Sequence, residues 1–170
     1  MQTLRSLEAL DRAALVTPDP RLAAAAQSMA IAITPEMTAL IDRSDLGRDP
    51  IARQFVPNGA EAEIAPEELA DPIGDEARSP VKGIVHRYPD RVLLKPLHVC
   101  PVYCRFCFRR EKVGPGGEAL SAEELDSAVA YIRSRPEIWE VILTGGDPLM
   151  MAPRRLADLV SALDSIPHVA

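Results

Sequence analysis

All three cysteines of the chain stand within eight residues, in Cys100-Pro-Val-Tyr-Cys104-Arg-Phe-Cys107. As buried apolar thiols they would only fill space, a reading at odds with Arg105, Arg109, Arg110 and Lys112, which crowd the same loop and favour thiolate. As zinc ligands they would want a fourth donor, for which His98 is the nearest candidate. An iron–sulfur cluster fits better. Three thiolates on a four-iron cluster leave one iron without a protein ligand, and an open iron is where a small molecule can chelate and take an electron. A second chemically suggestive stretch is Thr144-Gly-Gly-Asp-Pro-Leu149, where Gly145 and Gly146 permit close backbone approach, although Gly-Gly-Asp-Pro is also an ordinary turn sequence.

The elements that must position these residues can be read from periodicity. Arg91–Leu97 carries Val92, Leu93, Leu94 and Leu97 and reads as a buried strand running into the cysteine segment; Val141 to Leu143 reads as another, ahead of Gly145. Between them Ser121 and Glu124 form a capping-box pattern before Leu125, Ala128, Val129 and Ile132, which predicts a helix over 121–133. Leu156, Leu159, Val160 and Leu163 predict a second helix over 153–166. Two consecutive strand–helix units imply parallel strands with right-handed crossovers, an α/β fold. Such a pair leaves an open edge, so the chain is expected to be a truncated part of a larger sheet. Residues 1–45 read as a helical N-terminal extension: Leu4, Leu7, Leu10, Ala14 and Leu15, then Leu22, Ala26, Met29 and Ile33, then a helix opened by Thr34-Pro35-Glu36 that includes Met37, Leu40 and Ile41. Residues 46–90 read as a loop-rich connection, dense in Pro, Gly, Asp and Glu from Gly47 to Gly83, and 91–170 as the start of the sheet domain.

Composition narrows the function classes. The chain has 170 residues, enough for one domain of ordinary size, and is 47% apolar. Its longest apolar runs, such as 23–26 and 29–33, fall far short of the roughly 20 residues a bilayer span requires, so no membrane partner is expected. No basic-then-apolar leader is evident at the start, and three cysteines cannot all pair within one chain, which points to a reducing cytoplasm. Twenty-five acidic residues against 19 basic ones give a net charge of −6, opposite to the basic excess of a general nucleic-acid binder. Sixteen prolines and only 4% aromatics predict many loop breaks around a core of aliphatic side chains and alanine.

Three stretches in this order, His86-Arg-Tyr-Pro-Asp-Arg91, Cys104-Arg-Phe-Cys107-Phe-Arg-Arg110 and Thr144-Gly-Gly-Asp-Pro-Leu149, together with the Cys-x3-Cys-x2-Cys spacing, resemble the lysine 2,3-aminomutase family of radical S-adenosylmethionine (SAM) enzymes. The resemblance runs from about Asp49 to the end; the first 45 residues carry no matching motif. It implies the first two βα units of a radical SAM partial (β/α) barrel. It also implies an isomerase in which SAM chelates the fourth iron of a [4Fe-4S] cluster and is cleaved to a 5'-deoxyadenosyl radical. That radical takes hydrogen from the substrate β-carbon, and the amino group migrates while held on pyridoxal 5'-phosphate (PLP), a net 1,2-amino shift of the L-lysine to β-lysine type.

Carried over residue by residue, the resemblance makes Cys100, Cys104 and Cys107 the cluster ligands. Phe106, Gly145, Gly146 and Asp147 fall near SAM, with Asp147 standing where many superfamily members have Glu. Arg87, Tyr88 and Arg91 match positions that contact the PLP phosphate, a sensible use for forked, charged donors, and Arg109 matches the partner of the substrate α-carboxylate. The family's Schiff-base lysine lies in a Gly-rich motif late in the barrel. Lys82, Lys95 and Lys112 are the only lysines here and none stands in such a motif, so that catalytic lysine is expected beyond Ala170 and the 170 residues alone are expected to be inactive. Free L-lysine, a lysine of elongation factor P, or another amino acid such as glutamate remain open as substrates. Flavodoxin or ferredoxin is the implied electron donor, and a homo-oligomer is compatible. Two alternatives stay open: a non-catalytic iron–sulfur or interaction module, and a radical SAM enzyme of different reaction without PLP.

Overall fold

The computed structural model describes residues 2–170 and resolves them into two compact units. One gathers the chain up to Ala70 together with Pro101–Pro115; the other comprises Asp71–Cys100 and Gly116–Ala170.

The first unit is helical. Its helices are α1 (Leu7–Arg12), α2 (Pro20–Ser28), α3 (Pro35–Leu40) and α4 (Pro50–Phe55). Each is started by a short polar side chain that accepts from a backbone N–H of the first turn: Ser6 from Ala9 (3.2 Å), Asp19 from Arg21 (2.6 Å), Thr34 from Met37 (3.4 Å) and Asp49 from Ala52 (2.6 Å). In the last three a proline follows the cap at once, where its missing N–H costs nothing. Leu10, Leu15, Ile31, Ile33, Ile41, Ala52 and Phe55 form the buried core.

The helices are shorter than periodicity predicts. Met29 ends α2 in an extended conformation, and Ile33 exchanges backbone hydrogen bonds with Leu4 at 2.9 and 3.0 Å. Ile41 likewise caps α3 instead of belonging to it. These apolar residues are buried because the chain doubles back on itself. Conversely, α4 lies in a stretch that reads as loop, since six residues are too few to display a period.

The second unit contains, among the described residues, a three-stranded sheet of β1 (Ile84–Tyr88), β2 (Arg91–Leu97) and β3 (Glu140–Gly145), in that order. β1 and β2 form an antiparallel hairpin through Pro89 and Asp90, a strand the sequence reading does not assign. β2 pairs parallel with β3, from Arg91 opposite Glu140 to Leu97 opposite Gly145. Helix α5 (Ala122–Arg133) connects β2 to β3 and α6 (Pro153–Asp164) follows β3, the two βα units that the sequence predicts. The Ser121–Glu124 capping box starts α5 as expected.

Strand alternation divides the sheet chemically. Val92 and Leu94 pack into a core with Ile84, Ala128, Ile132, Ile138, Leu159, Leu163 and Ile166, while Arg91, Leu93 and Lys95 occupy the alternate positions. His86 turns its Nδ1 toward the Tyr131 hydroxyl of α5 at 2.7 Å. No helix among the described residues is long and apolar enough to cross a membrane.

This division makes a direct stability prediction. Leu94 is 0% exposed and Leu149 is 79% exposed. Leu94→Ala should cost about 2–5 kcal/mol by transfer and cavity terms, and Leu149→Ala no more than about 0.5 kcal/mol, as read from urea denaturation.

Candidate cluster and cofactor site

β2 ends at Leu97, and the chain reaches Cys100 three residues later. The turn after β3 is tied to this exit: Gly146 N–H donates to the Leu97 carbonyl (2.8 Å) and Asp147 N–H to the Val99 carbonyl (2.9 Å). The chain returning from the cysteine loop is bound to the same strand end, with His98 N–H donating to the Glu118 carbonyl (3.0 Å) and Leu120 N–H to the Pro96 carbonyl (2.9 Å).

Both glycines of the turn are required by this closeness. Gly145 has φ +106°, a left-handed conformation costly for side chains, and a Cβ there would sit 2.5 Å from the Leu97 carbonyl oxygen. At Gly146 a Cβ would overlap the Val99 carbonyl oxygen and lie 2.6 Å from the Val99 nitrogen. Asp147 uses its carboxylate locally, accepting from Leu149 N–H at 3.0 Å to cap the short turn Pro148–Met150.

None of the cysteines is in a disulfide; Cys100 and Cys107 are half-buried and Cys104 is exposed. Cys100 belongs to the sheet unit, and Cys104 and Cys107 to the helical unit. Cys107 N–H donates to the Cys104 carbonyl at 3.0 Å, making a tight turn. Although the residue is exposed overall, desolvation of its sulfur pushes the Cys104 thiol above its ordinary range, and the neighbouring Cys107 adds to the rise. A cation that binds both would displace those protons. Among the described residues, no three or more His, Cys, Asp or Glu side chains are gathered to hold a metal ion. The donor set itself, three thiols in one short loop, is of the kind that iron–sulfur clusters use. Phe106 is 71% exposed, and the Arg109 guanidinium lies over the Phe108 ring, 4.5 Å from its centroid.

Arg87, Tyr88 and Arg91 all lie on the β1–β2 hairpin, where Tyr88 is paired with Arg91, and the two guanidiniums reach different partners. Both guanidiniums have carboxylate neighbours. Arg87 donates to the Ile73 carbonyl and lies 3.9 Å from Asp75, which Lys95 also approaches at 3.4 Å. Arg91 makes two 3.0 Å hydrogen bonds to Asp90 and stacks 5.7 Å from the Trp139 centroid. Arg91, helped by a hydrogen bond from the Trp139 indole, holds the Asp90 carboxyl down at about 2. Glu140 Oε2 is 3.2 Å from Arg91 Nη1, yet is buried without a hydrogen bond, a charge contact lacking alignment. Both guanidiniums are forked, charged donors of the type a phosphate accepts, and both are engaged here by carboxylates. Tyr88, 59% exposed, adds a phenol.

Sequence reasoning missed Arg105, whose side chain is 3% exposed. Its Nε and Nη2 donate to the Glu61 carboxylate (3.1 and 2.7 Å), Nη2 to the Ala25 carbonyl (3.3 Å), and Nη1 to the carbonyls of Met29 (3.4 Å) and Ala30 (3.1 Å). Its position between two cysteines, in a run of basic residues, gave no sign of burial.

Residues 94–169 match the Radical SAM superfamily, the class that a three-cysteine loop at the end of a barrel strand defines. The chain is 41% identical over 143 residues to the L-lysine 2,3-aminomutase of Clostridium subterminale, covering 84% of this chain and 34% of that protein. It is 37% identical over 169 residues to the L-lysine 2,3-aminomutase of Bacillus subtilis (strain 168), covering 98% and 36%. To the glutamate 2,3-aminomutase of Clostridioides difficile (strain 630) it is 38% identical over 138 residues, covering 81% and 32%. The chain belongs to the lysine 2,3-aminomutase family of radical SAM enzymes. It spans about one third of the length of these curated relatives. The Bacillus match also takes in the helical N-terminal region, where no motif had pointed to the family.

The turn's geometry yields a prediction. Gly146→Ala should destabilise the protein by on the order of 1–3 kcal/mol through backbone overlap, and Gly114→Ala, with open space around it, by no more than about 0.5 kcal/mol. Thermal melts of the two variants make the comparison.

Proposed function

We propose that this chain is the cluster-bearing part of a radical SAM, PLP-dependent amino acid 2,3-aminomutase that acts in the cytoplasm and catalyses a 1,2-amino shift of the L-lysine to β-lysine type. The observation that carries the reading is the hydrogen-bonded attachment of the Gly145-Gly146 turn to Leu97 and Val99, just before Cys100. It supports a site in which the small molecule bound at the turn also reaches the cluster.

In this reading the bound cluster and SAM supply a carbon-centred radical, and PLP supplies a π-system on which the amino group migrates. The residues of this chain bind and orient. Cys100, Cys104 and Cys107 hold iron as thiolates and leave one iron open. The turn's backbone receives the amino group of SAM, Phe106 lies by its adenine, and Asp147 keeps the turn in shape through Leu149. Arg87, Tyr88 and Arg91 hold the PLP phosphate, and Arg109 pairs with the substrate α-carboxylate. Lys82 is engaged by Glu118 and Glu124, and Lys95 by Asp75. Neither serves as the Schiff-base lysine, which this reading places outside the 170 residues together with the groups that select the substrate's far end. Matches to both lysine and glutamate aminomutases support a free amino acid substrate of either kind, with a protein-borne lysine the further candidate of this reading.

Two experiments test this. Alanine at any one of Cys100, Cys104 or Cys107 should remove the cluster from anaerobically reconstituted protein; intact absorption and normal iron content in all three variants would refute the assignment. Arg87→Ala or Arg91→Ala should weaken PLP binding roughly 10 to 150-fold, the effect of losing one charge-assisted hydrogen bond of about 1.5–3 kcal/mol, with iron content unchanged. Unaltered PLP affinity in both would make these arginines purely structural.

A further inference from the structure

The cysteine loop has an anchor that the aminomutase reading does not require. Arg105 lies between Cys104 and Phe106, and its side chain points away from the exposed thiol of Cys104 into the interior of the helical unit. A guanidinium has five N–H donors in a rigid fork, and those of Arg105 reach the Glu61 carboxylate and the carbonyls of Ala25, Met29 and Ala30. Those carbonyls belong to the last turn of α2 and the residues after it, where the helix dipole favours a cation; the Ala25 carbonyl also accepts from the Met29 N–H and the Ser28 hydroxyl, while those of Met29 and Ala30 lie past the end of the helix. Glu61 is itself held in place: it accepts from the Asn58 N–H at 2.8 Å, as the capping box of the short turn Gly59–Ala62. Backbone hydrogen bonds reinforce the attachment on both sides, Tyr103 N–H to the Ala32 carbonyl (3.1 Å) and Arg105 N–H to the Gln54 carbonyl (2.7 Å).

We propose that Arg105, held by Glu61 and the end of α2, is a positioning residue that presents Cys104 and Cys107 to the cluster, and that the N-terminal helical segment serves as the scaffold for this loop. The proposal rests on the reading of these thiols as cluster ligands. Without the clamp, the residues between the two cysteines lose their only deeply buried side chain other than the aromatic ring of Tyr103 just before them. A loop so released exchanges among conformers, and the chelate that three thiols form is weakened even where the fold survives. Lysine is no substitute, since its ammonium cannot span a carboxylate and three carbonyls at once.

The test compares Arg105→Gln, Glu61→Gln and Ile41→Ala in the anaerobically reconstituted protein. Ile41 is buried in the same helical core and makes none of these contacts, so it supplies a variant destabilised without touching the clamp. Three quantities are read: melting temperature, iron retained against a chelator, and the electron paramagnetic resonance spectrum of the reduced cluster. Arg105→Gln and Glu61→Gln should lose iron roughly tenfold faster than the parent, as expected for one lost charge-assisted hydrogen bond, with a broadened spectrum. Ile41→Ala should keep iron and spectrum at a comparable loss of melting temperature. Glu61→Gln keeps the shape of the side chain and guards against a variant that fails to fold. Parental iron retention and spectrum in Arg105→Gln, or iron loss that merely follows melting temperature across all three variants, would overturn the proposal. If Cys104→Ala also retains a normal cluster, the assignment of the thiols fails instead.

Discussion

Two backbone hydrogen bonds, from Gly146 to Leu97 and from Asp147 to Val99, hold the region together. They extend the parallel pairing of β2 and β3 past the last paired residues and bring the turn after β3 against the segment that leads to Cys100. Everything about the turn follows from that closeness. Gly145 must adopt a positive φ, Gly146 must lack a Cβ, and Asp147 is left to cap the next turn. Parallel strands put their C-terminal ends on one side of a sheet, so loops that follow successive strands become neighbours however far apart they lie in sequence.

Charge is distributed to match. The sheet positions alternate to those filling the core carry Arg91 and Lys95, and the cations near the proposed site are compensated by acids: Arg87 and Lys95 by Asp75, Arg91 by Asp90 and Glu140, Arg105 by Glu61. The exposed pairs contribute little to stability, since water screens them. Their consequence is for binding. An anionic ligand held by these guanidiniums must compete with fixed carboxylates. The buried Arg105–Glu61 and Lys95–Asp75 pairs are different in kind, because removing either partner would strand a charge in the interior.

What could be read from the sequence followed from local rules. The Cys-x3-Cys-x2-Cys spacing, the capping box at Ser121 and the run Arg91–Leu97 each specify their geometry over a few residues, and the structure has the helix and the strand where they were expected. Three features escaped for want of a local signal. β1 mixes Ile84 and Val85 with His86 and Arg87, so it shows no alternation until β2 pairs with it. Met29 and Ile33 fit a helical stripe, yet they are buried by a chain reversal that depends on Leu4. Arg105 looks like one more base among Arg109, Arg110 and Lys112, and its burial depends on carbonyls roughly 75–80 residues earlier in the chain. In each case the deciding contact is remote in sequence.

In the proposed function, the segment leading to Cys100 and the Gly145-Gly146 turn bound to it serve one site, in which the molecule held by the turn also chelates the cluster. The most direct measurement is electron–nuclear double resonance on the anaerobically reduced protein with SAM labelled with nitrogen-15 in its amino group. A hyperfine coupling between that nitrogen and the cluster is the predicted result. An assembled, reduced cluster whose spectrum is the same with and without saturating SAM, and which shows no nitrogen coupling, would contradict it.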